Sequence, residues 1–133
     1  MSTPSPLRVL IIDDSDDILF ILKTELKFLG FSVEVAKDAP QGFDTAQAFR
    51  PDVIVSDIGL PGVDGYELLQ RIRQCPDLAA VPVIALTGFG IRDEKPARSL
   101  EFNARVTKPV DGGSLAKVIE RLTAARLASS TGV

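Results

Sequence analysis

The chain has 133 residues, 45% of them hydrophobic and 25% charged, with a net charge of −3 and one cysteine. That length suits a single compact domain with its own core. The numbers exclude a disulfide scaffold and a Cys/His zinc site, the chain having no histidine at all, and the net charge disfavours a nucleic-acid role for the domain as a whole.

Met1–Pro6 is short, polar and lacks the basic and apolar regions of a secretory signal, so a disordered N-terminus and a cytoplasmic protein are expected. No apolar run approaches a membrane span, and no membrane role is expected. Five apolar runs then follow: Leu7–Ile12, Phe31–Ala36, Asp52–Ser56, Val81–Leu86 and Ala104–Thr107. The first, third and fourth are nearly continuous Val, Ile and Leu, as parallel strands covered on both faces require. The second and fifth are more mixed and suit the sheet edges.

Amphipathic stretches separate the runs. Ile18, Ile21, Leu22, Glu25, Leu26 and Leu29 predict one mostly apolar helix face, with Ser15 as N-cap, Asp16 and Asp17 in the first turn, and Gly30 as terminator. Asp38 before Ala39-Pro40 caps the next helix, and Pro51 stops it. Asp64 caps a third, which carries Tyr66, Leu68, Leu69 and Ile72. Asp111 or Ser114 starts the last, with Leu115, Val118, Ile119 and Leu122 on one face. Ala128–Val133 is expected to fray, leaving a domain over 7–127. The prediction is α/β: five βα units folded into a parallel sheet with helices on both faces.

Ligands of such sheets bind beyond the carboxyl ends of the strands. Those ends carry Asp13 and Asp14, Asp57, Thr87 and Lys108. Each is commonplace alone: Asp-Asp after a strand is usually a turn and a cap. Their joint placement on four strand ends is the informative feature. Three converging carboxylates repel, and a hard cation such as Mg²⁺ relieves them. An Asp carboxylate is also a competent nucleophile toward phosphorus. Mg²⁺, Lys108 and the Thr87 hydroxyl would then each meet one equatorial oxygen of a phosphoryl group on Asp57. The chain has no GxxxxGK[ST] loop, no complete dinucleotide fingerprint and no calcium loop.

The segments Val9-Leu10-Ile11-Ile12-Asp13-Asp14, Asp52-Val53-Ile54-Val55-Ser56-Asp57, Leu60-Pro61-Gly62-Val63-Asp64-Gly65, Ala85-Leu86-Thr87-Gly88 and Thr107-Lys108-Pro109 resemble the response-regulator receiver family of two-component systems. The resemblance runs in order from Leu7 to Leu122. It implies a flavodoxin-like fold with strand order 2-1-3-4-5, which periodicity alone does not supply. It also implies that Asp57 is the phospho-acceptor, that Asp14 binds Mg²⁺ directly and Asp13 through water, and that the Gly59 carbonyl is a further ligand. Mn²⁺ is an acceptable substitute for Mg²⁺. Thr87 matches the switch hydroxyl, Lys108 the phosphate-pairing lysine, and Pro109 a proline after a cis peptide. The segments around Leu86–Gly90, Phe102–Ala104 and Lys108–Asp111 look most like receivers attached to hybrid sensor kinases.

Two positions depart from the family pattern. Arg105 stands where the family usually carries an aromatic switch residue; it is expected as a solvated edge residue or as a contact for an acidic partner. Pro96 falls within the expected fourth helix, where an interior proline costs about 3 kcal/mol. That helix is therefore expected to begin near Lys95, with Ile91–Glu94 loop-like. Gly59 and Phe89 stand at the positions that flank the approach of water to the phospho-acceptor in the family and carry no acid or amide, which predicts slow self-dephosphorylation.

With no histidine, the chain must receive phosphate from a histidine kinase, a histidine phosphotransfer protein or a small phosphodonor. A downstream protein is expected on the face of the fourth helix, fifth strand and fifth helix. Too few residues follow Lys108 for a DNA-binding domain, so a stand-alone receiver or one drawn from a larger protein is expected. A pure docking module is disfavoured by the intact Asp13, Asp14, Asp57, Thr87 and Lys108 set. A phosphatase of the haloacid dehalogenase type would need a second Asp two residues beyond the nucleophile, where Gly59 stands.

Overall fold

The computed structural model describes residues 6–60, 62–88 and 102–131. Nine elements follow in chain order: β1 (Arg8–Ile12), α1 (Asp16–Phe28), β2 (Ser32–Ala36), α2 (Ala39–Phe49), β3 (Val53–Asp57), α3 (Gly65–Gln74), β4 (Val83–Thr87), β5 (Ala104–Thr107) and α4 (Gly112–Thr131). The expected fourth helix, with Lys95, Pro96, Ile91–Glu94 and Phe89, lies outside the described residues, as do Met1–Ser5 and Pro61.

The five strands form one parallel sheet in the order β2-β1-β3-β4-β5. The two mixed runs are its edges. Alternate residues of each strand face opposite layers. Leu10, Ile12, Ile54, Val83 and Ala85 pack against α2 and α3. Val9, Ile11, Val53, Val55, Ile84 and Leu86 pack against α1 and α4. Both faces are covered, which is why the central strands are apolar throughout.

The expected caps form. Ser15, Asp38 and Asp64 accept the backbone N–H of Ile18, Gln41 and Glu67. Asp111 takes this role for α4: its Oδ1 accepts Ser114 N–H at 2.6 Å, and this bond with the Ser114 hydroxyl pulls its carboxyl below the usual range. Gly30, at φ 101°, ends α1 in the left-handed conformation that only glycine adopts freely. Helix α4 continues past Ala128 to Thr131, in keeping with the helix propensity of its Ala- and Leu-containing end.

The buried stripe of α1 differs from expectation. Leu19, Leu22 and Leu26 are buried, whereas Ile21 and Leu29 are each half-exposed, with Phe20 and Phe28 outward. The stripe is centred on Leu22 and narrower than the sequence suggests, because α1 shares its layer with α4.

Candidate functional site

The chain leaves β1, crosses to the edge strand β2, and returns to β3 on the far side of β1. This reversal leaves a crevice at the carboxyl ends of β1 and β3. Asp13 and Asp14 follow β1 directly. The Asp13 N–H continues the ladder by donating to Ala36 O at 3.0 Å, and its side-chain Oδ1 accepts Ser15 N–H at 2.9 Å. One short turn thus starts α1 and folds the Asp13 side chain inward, where it is wholly buried, while Asp14 stays exposed.

Asp57 is the last residue of β3 rather than the first beyond it, because the ladder persists: Ile58 N–H donates to Leu86 O at 3.1 Å. Its side chain is nearly buried, and Oδ1 accepts Gly59 N–H at 3.1 Å. The loop after it closes tightly, with Gly65 N–H donating to Ile58 O at 2.9 Å. A Cβ on Gly65 would stand 2.7 Å from Asp57 O and 2.9 Å from Ile58 Cα, so no other residue fits there without displacing the loop.

Carboxylate oxygens of Asp13, Asp14 and Asp57 lie within 4.8 Å of one another. Lys108, following β5, places Nζ 2.8 Å from Asp13 Oδ2 and 3.3 Å from Asp57 Oδ2. The Lys108–Pro109 peptide is cis, as the family resemblance implied. Burial pushes the Asp13 carboxyl above its ordinary value, outweighing the hydrogen bond from Lys108; the charge of Asp57 adds to the rise. Burial pulls Lys108 downward, but its bond to Asp13 and the charges of both carboxylates more than offset this and raise it. The lysine is therefore an ammonium at neutral pH.

Three carboxylates face one ammonium, so the cluster is short of positive charge. Asp13 Oδ2 is buried and is paired with Lys108 at 2.8 Å, an ammonium that Asp57 shares. An all-oxygen donor set, with two buried carboxylates and one exposed, suits a hard divalent cation that retains waters. The residues fit Mg²⁺. Gly59 sits beside this cluster, its N–H donating to Asp57 Oδ1.

Thr87 ends β4, paired with Thr107 on β5; its hydroxyl lies 3.4 Å from Thr107 Oγ1, a long hydrogen bond. Arg105 is an exposed residue of the edge strand β5, as the sequence suggests, and it also makes two side-chain contacts. Its Nη2 donates to Tyr66 OH at 3.2 Å, and its Cζ lies 5.6 Å over the Phe102 ring. Tyr66, Phe102 and Thr107 were absent from the sequence-derived site, since the rotation of α3 and the β4–β5 register together bring them to it.

The family model described as "Response regulator receiver domain" matches residues 9–120. Among curated proteins, Response regulator Rre1 of Synechocystis sp. is 31% identical over 94% of this chain, which spans 55% of that relative's length. A receiver domain protein (CheY-like) from Methanospirillum hungatei JF-1 superposes with a TM-score of 0.85 at 29% identity, covering 94% of this chain and 99% of that one. The receiver domain of sensor histidine kinase PA1611 from Pseudomonas aeruginosa PAO1, solved with a magnesium ion coordinated in its active site cleft, gives 0.80 at 26% identity, covering 90% and 98%.

Proposed function

This chain belongs to the response regulator receiver domain family, and we propose that Asp57 is the carboxylate on which it carries the phosphoryl group. Its role is that of a phospho-accepting domain in two-component signalling. The observation carrying the assignment is the meeting of Asp13, Asp14 and Asp57 within 4.8 Å beneath the bridging ammonium of Lys108. Of the three, Asp57 combines near-burial with a backbone donor that aims its carboxylate.

In the transfer, an Asp57 oxygen forms a bond to phosphorus as the bond from phosphorus to a donor imidazole nitrogen breaks. The electron pair leaves with the imidazole. Mg²⁺, or Mn²⁺ in its place, held by Asp13, Asp14, Asp57 and the Gly59 carbonyl, would supply charge neutralisation. The Lys108 ammonium turns from the carboxylate pair to a phosphoryl oxygen through a charge-assisted bond. The Thr87 hydroxyl donates to another on leaving Thr107.

The chain has no histidine, so the phosphoryl group comes from outside it, from a histidine kinase, a histidine phosphotransfer protein or a small phosphodonor. The output is contact with a downstream protein on the side of β5, α4 and the segment between β4 and β5. Direct nucleic-acid contact by this domain is not part of the proposal, given its net charge of −3. The domain is a regulatory acceptor with slow self-dephosphorylation, working in the cytoplasm, where a lone cysteine stays reduced. No helix among the described residues is long and apolar enough to cross a membrane.

Intact-mass spectrometry with acetyl phosphate tests this reading. One phosphoryl group should be gained with Mg²⁺ and none in excess chelator. Undiminished labelling in chelator would overturn the cation's part.

A further inference from the structure

The corner after Asp57 and the end of the edge strand are joined by a second route, away from the carboxylates. We propose that Tyr66 and Arg105 are a positioning pair that ties this corner to β5 and, through Thr107, sets the Thr87 hydroxyl. The proposal rests on Asp57 being the acceptor.

The route begins at Gly65, whose N–H is held by Ile58 O at 2.9 Å and where an added Cβ would stand 2.7 Å from Asp57 O. The start of α3 therefore moves with Asp57 and Ile58. Tyr66, the next residue, is 5% exposed, and its ring meets Phe102 edge-on at 5.4 Å. This packing fixes where the phenol points, and a buried phenol needs a partner. Arg105 supplies one at 3.2 Å while lying over Phe102. A planar guanidinium can stack and donate at once, which an ammonium does less well.

Arg105 stands opposite Ala85 and Thr107 opposite Thr87. Two residues apart on one strand, Arg105 and Thr107 point to the same side of the sheet. The Thr107 hydroxyl lies 3.4 Å from that of Thr87. Asp57, Gly65, Tyr66, Arg105, Thr107 and Thr87 thus form a run of neighbours, joined between Arg105 and Thr107 by the backbone of β5, that leads from the acceptor to the Thr87 hydroxyl. Loosening it at Tyr66 or Arg105 moves the hydroxyl relative to the acceptor, and reactions that depend on near-attack geometry are sensitive to such shifts.

The test uses the full chain and the variants Tyr66→Phe, Arg105→Ala, Arg105→Lys and the Tyr66→Phe/Arg105→Ala double. Labelling by acetyl phosphate at saturating Mg²⁺ should slow about three- to tenfold in Tyr66→Phe and Arg105→Ala. The double variant should be no slower than the worse single one, since both break one link. Arg105→Lys should recover part of the rate, and Mg²⁺ affinity, read by amide-shift titration, should not change. With beryllofluoride as a tetrahedral stand-in for the phosphoryl group, native amide shifts should extend from Asp57 to Arg105 and Thr107. In Tyr66→Phe the shifts at Asp57 and Gly59 should persist while those at Arg105 and Thr107 are lost. Native rates and shifts in both single variants, or additive losses in the double, would overturn the pair. A native protein silent at Asp57 would instead overturn the acceptor assignment, and the pair's role with it.

Discussion

Lys108 Nζ lies 2.8 Å from Asp13 Oδ2, although β3 and β4 stand between the strands that carry them. The lysine reaches back over the end of β3 and so passes Asp57, 3.3 Å away. Asp13 is wholly buried, while the Lys108 side chain is 21% exposed. Removing one partner of a buried pair leaves an uncompensated charge, at about 3–5 kcal/mol when both are fully buried. With Lys108 partly in water, Lys108→Met should cost about 2–3 kcal/mol. Mg²⁺ should restore more stability to Lys108→Met than it adds to the native protein, because it supplies the missing charge. Thermal midpoints with Mg²⁺ and with chelator measure this; an equal Mg²⁺ effect in both proteins would contradict it.

Gly65 and Gly113 both stand in the first turn of a helix, yet only one is sterically required. A Cβ on Gly65 meets backbone atoms at 2.7 and 2.9 Å, whereas on Gly113 it meets only Asp111 Oδ1 at 3.4 Å. Gly65→Ala should destabilise by about 1–3 kcal/mol and impair labelling of Asp57. Gly113→Ala should be neutral or stabilising by up to about 1 kcal/mol, since alanine is the better helix former. Denaturant midpoints decide the matter, and similar values for the two variants would refute the argument from close packing.

Among the described residues, a Cβ on Gly59 would meet nothing nearer than Asp57 Oδ1 at 4.0 Å. A side chain there fits without displacing the loop and would reach the water that hydrolyses an acyl phosphate. Gly59→Asn should speed the decay of phosphorylated Asp57 by about tenfold, less than the ~10²-fold of a true general base. Following phosphate loss after donor removal tests this, and equal decay rates would show that Gly59 does not limit water access.

The central strands were legible because a strand covered on both faces must be apolar at every position, as Val53, Ile54 and Val55 are. The caps were legible because Ser15, Asp38 and Asp64 have few other reasons to precede an apolar helix. The site was legible through the coincidence of Asp13, Asp57, Thr87 and Lys108 at strand ends. Strand order came from family resemblance, since periodicity carries no information on which strands are neighbours. The burial of Leu19 rather than Ile21 depends on how α1 rotates against α4. The Tyr66–Arg105 bond depends on the rotation of α3 and the β4–β5 register together. Neither quantity is written in any local pattern.

The identity of the phosphoryl-bearing residue is the claim on which the rest depends. Borohydride reduces an acyl phosphate to an alcohol with loss of phosphate, so a phosphorylated aspartate becomes homoserine. After labelling with acetyl phosphate and Mg²⁺, borohydride treatment and peptide sequencing by mass spectrometry should find homoserine in place of Asp57 and at no other position. Homoserine at Asp13 or Asp14, or an Asp57→Ala variant that still yields it, would contradict the account.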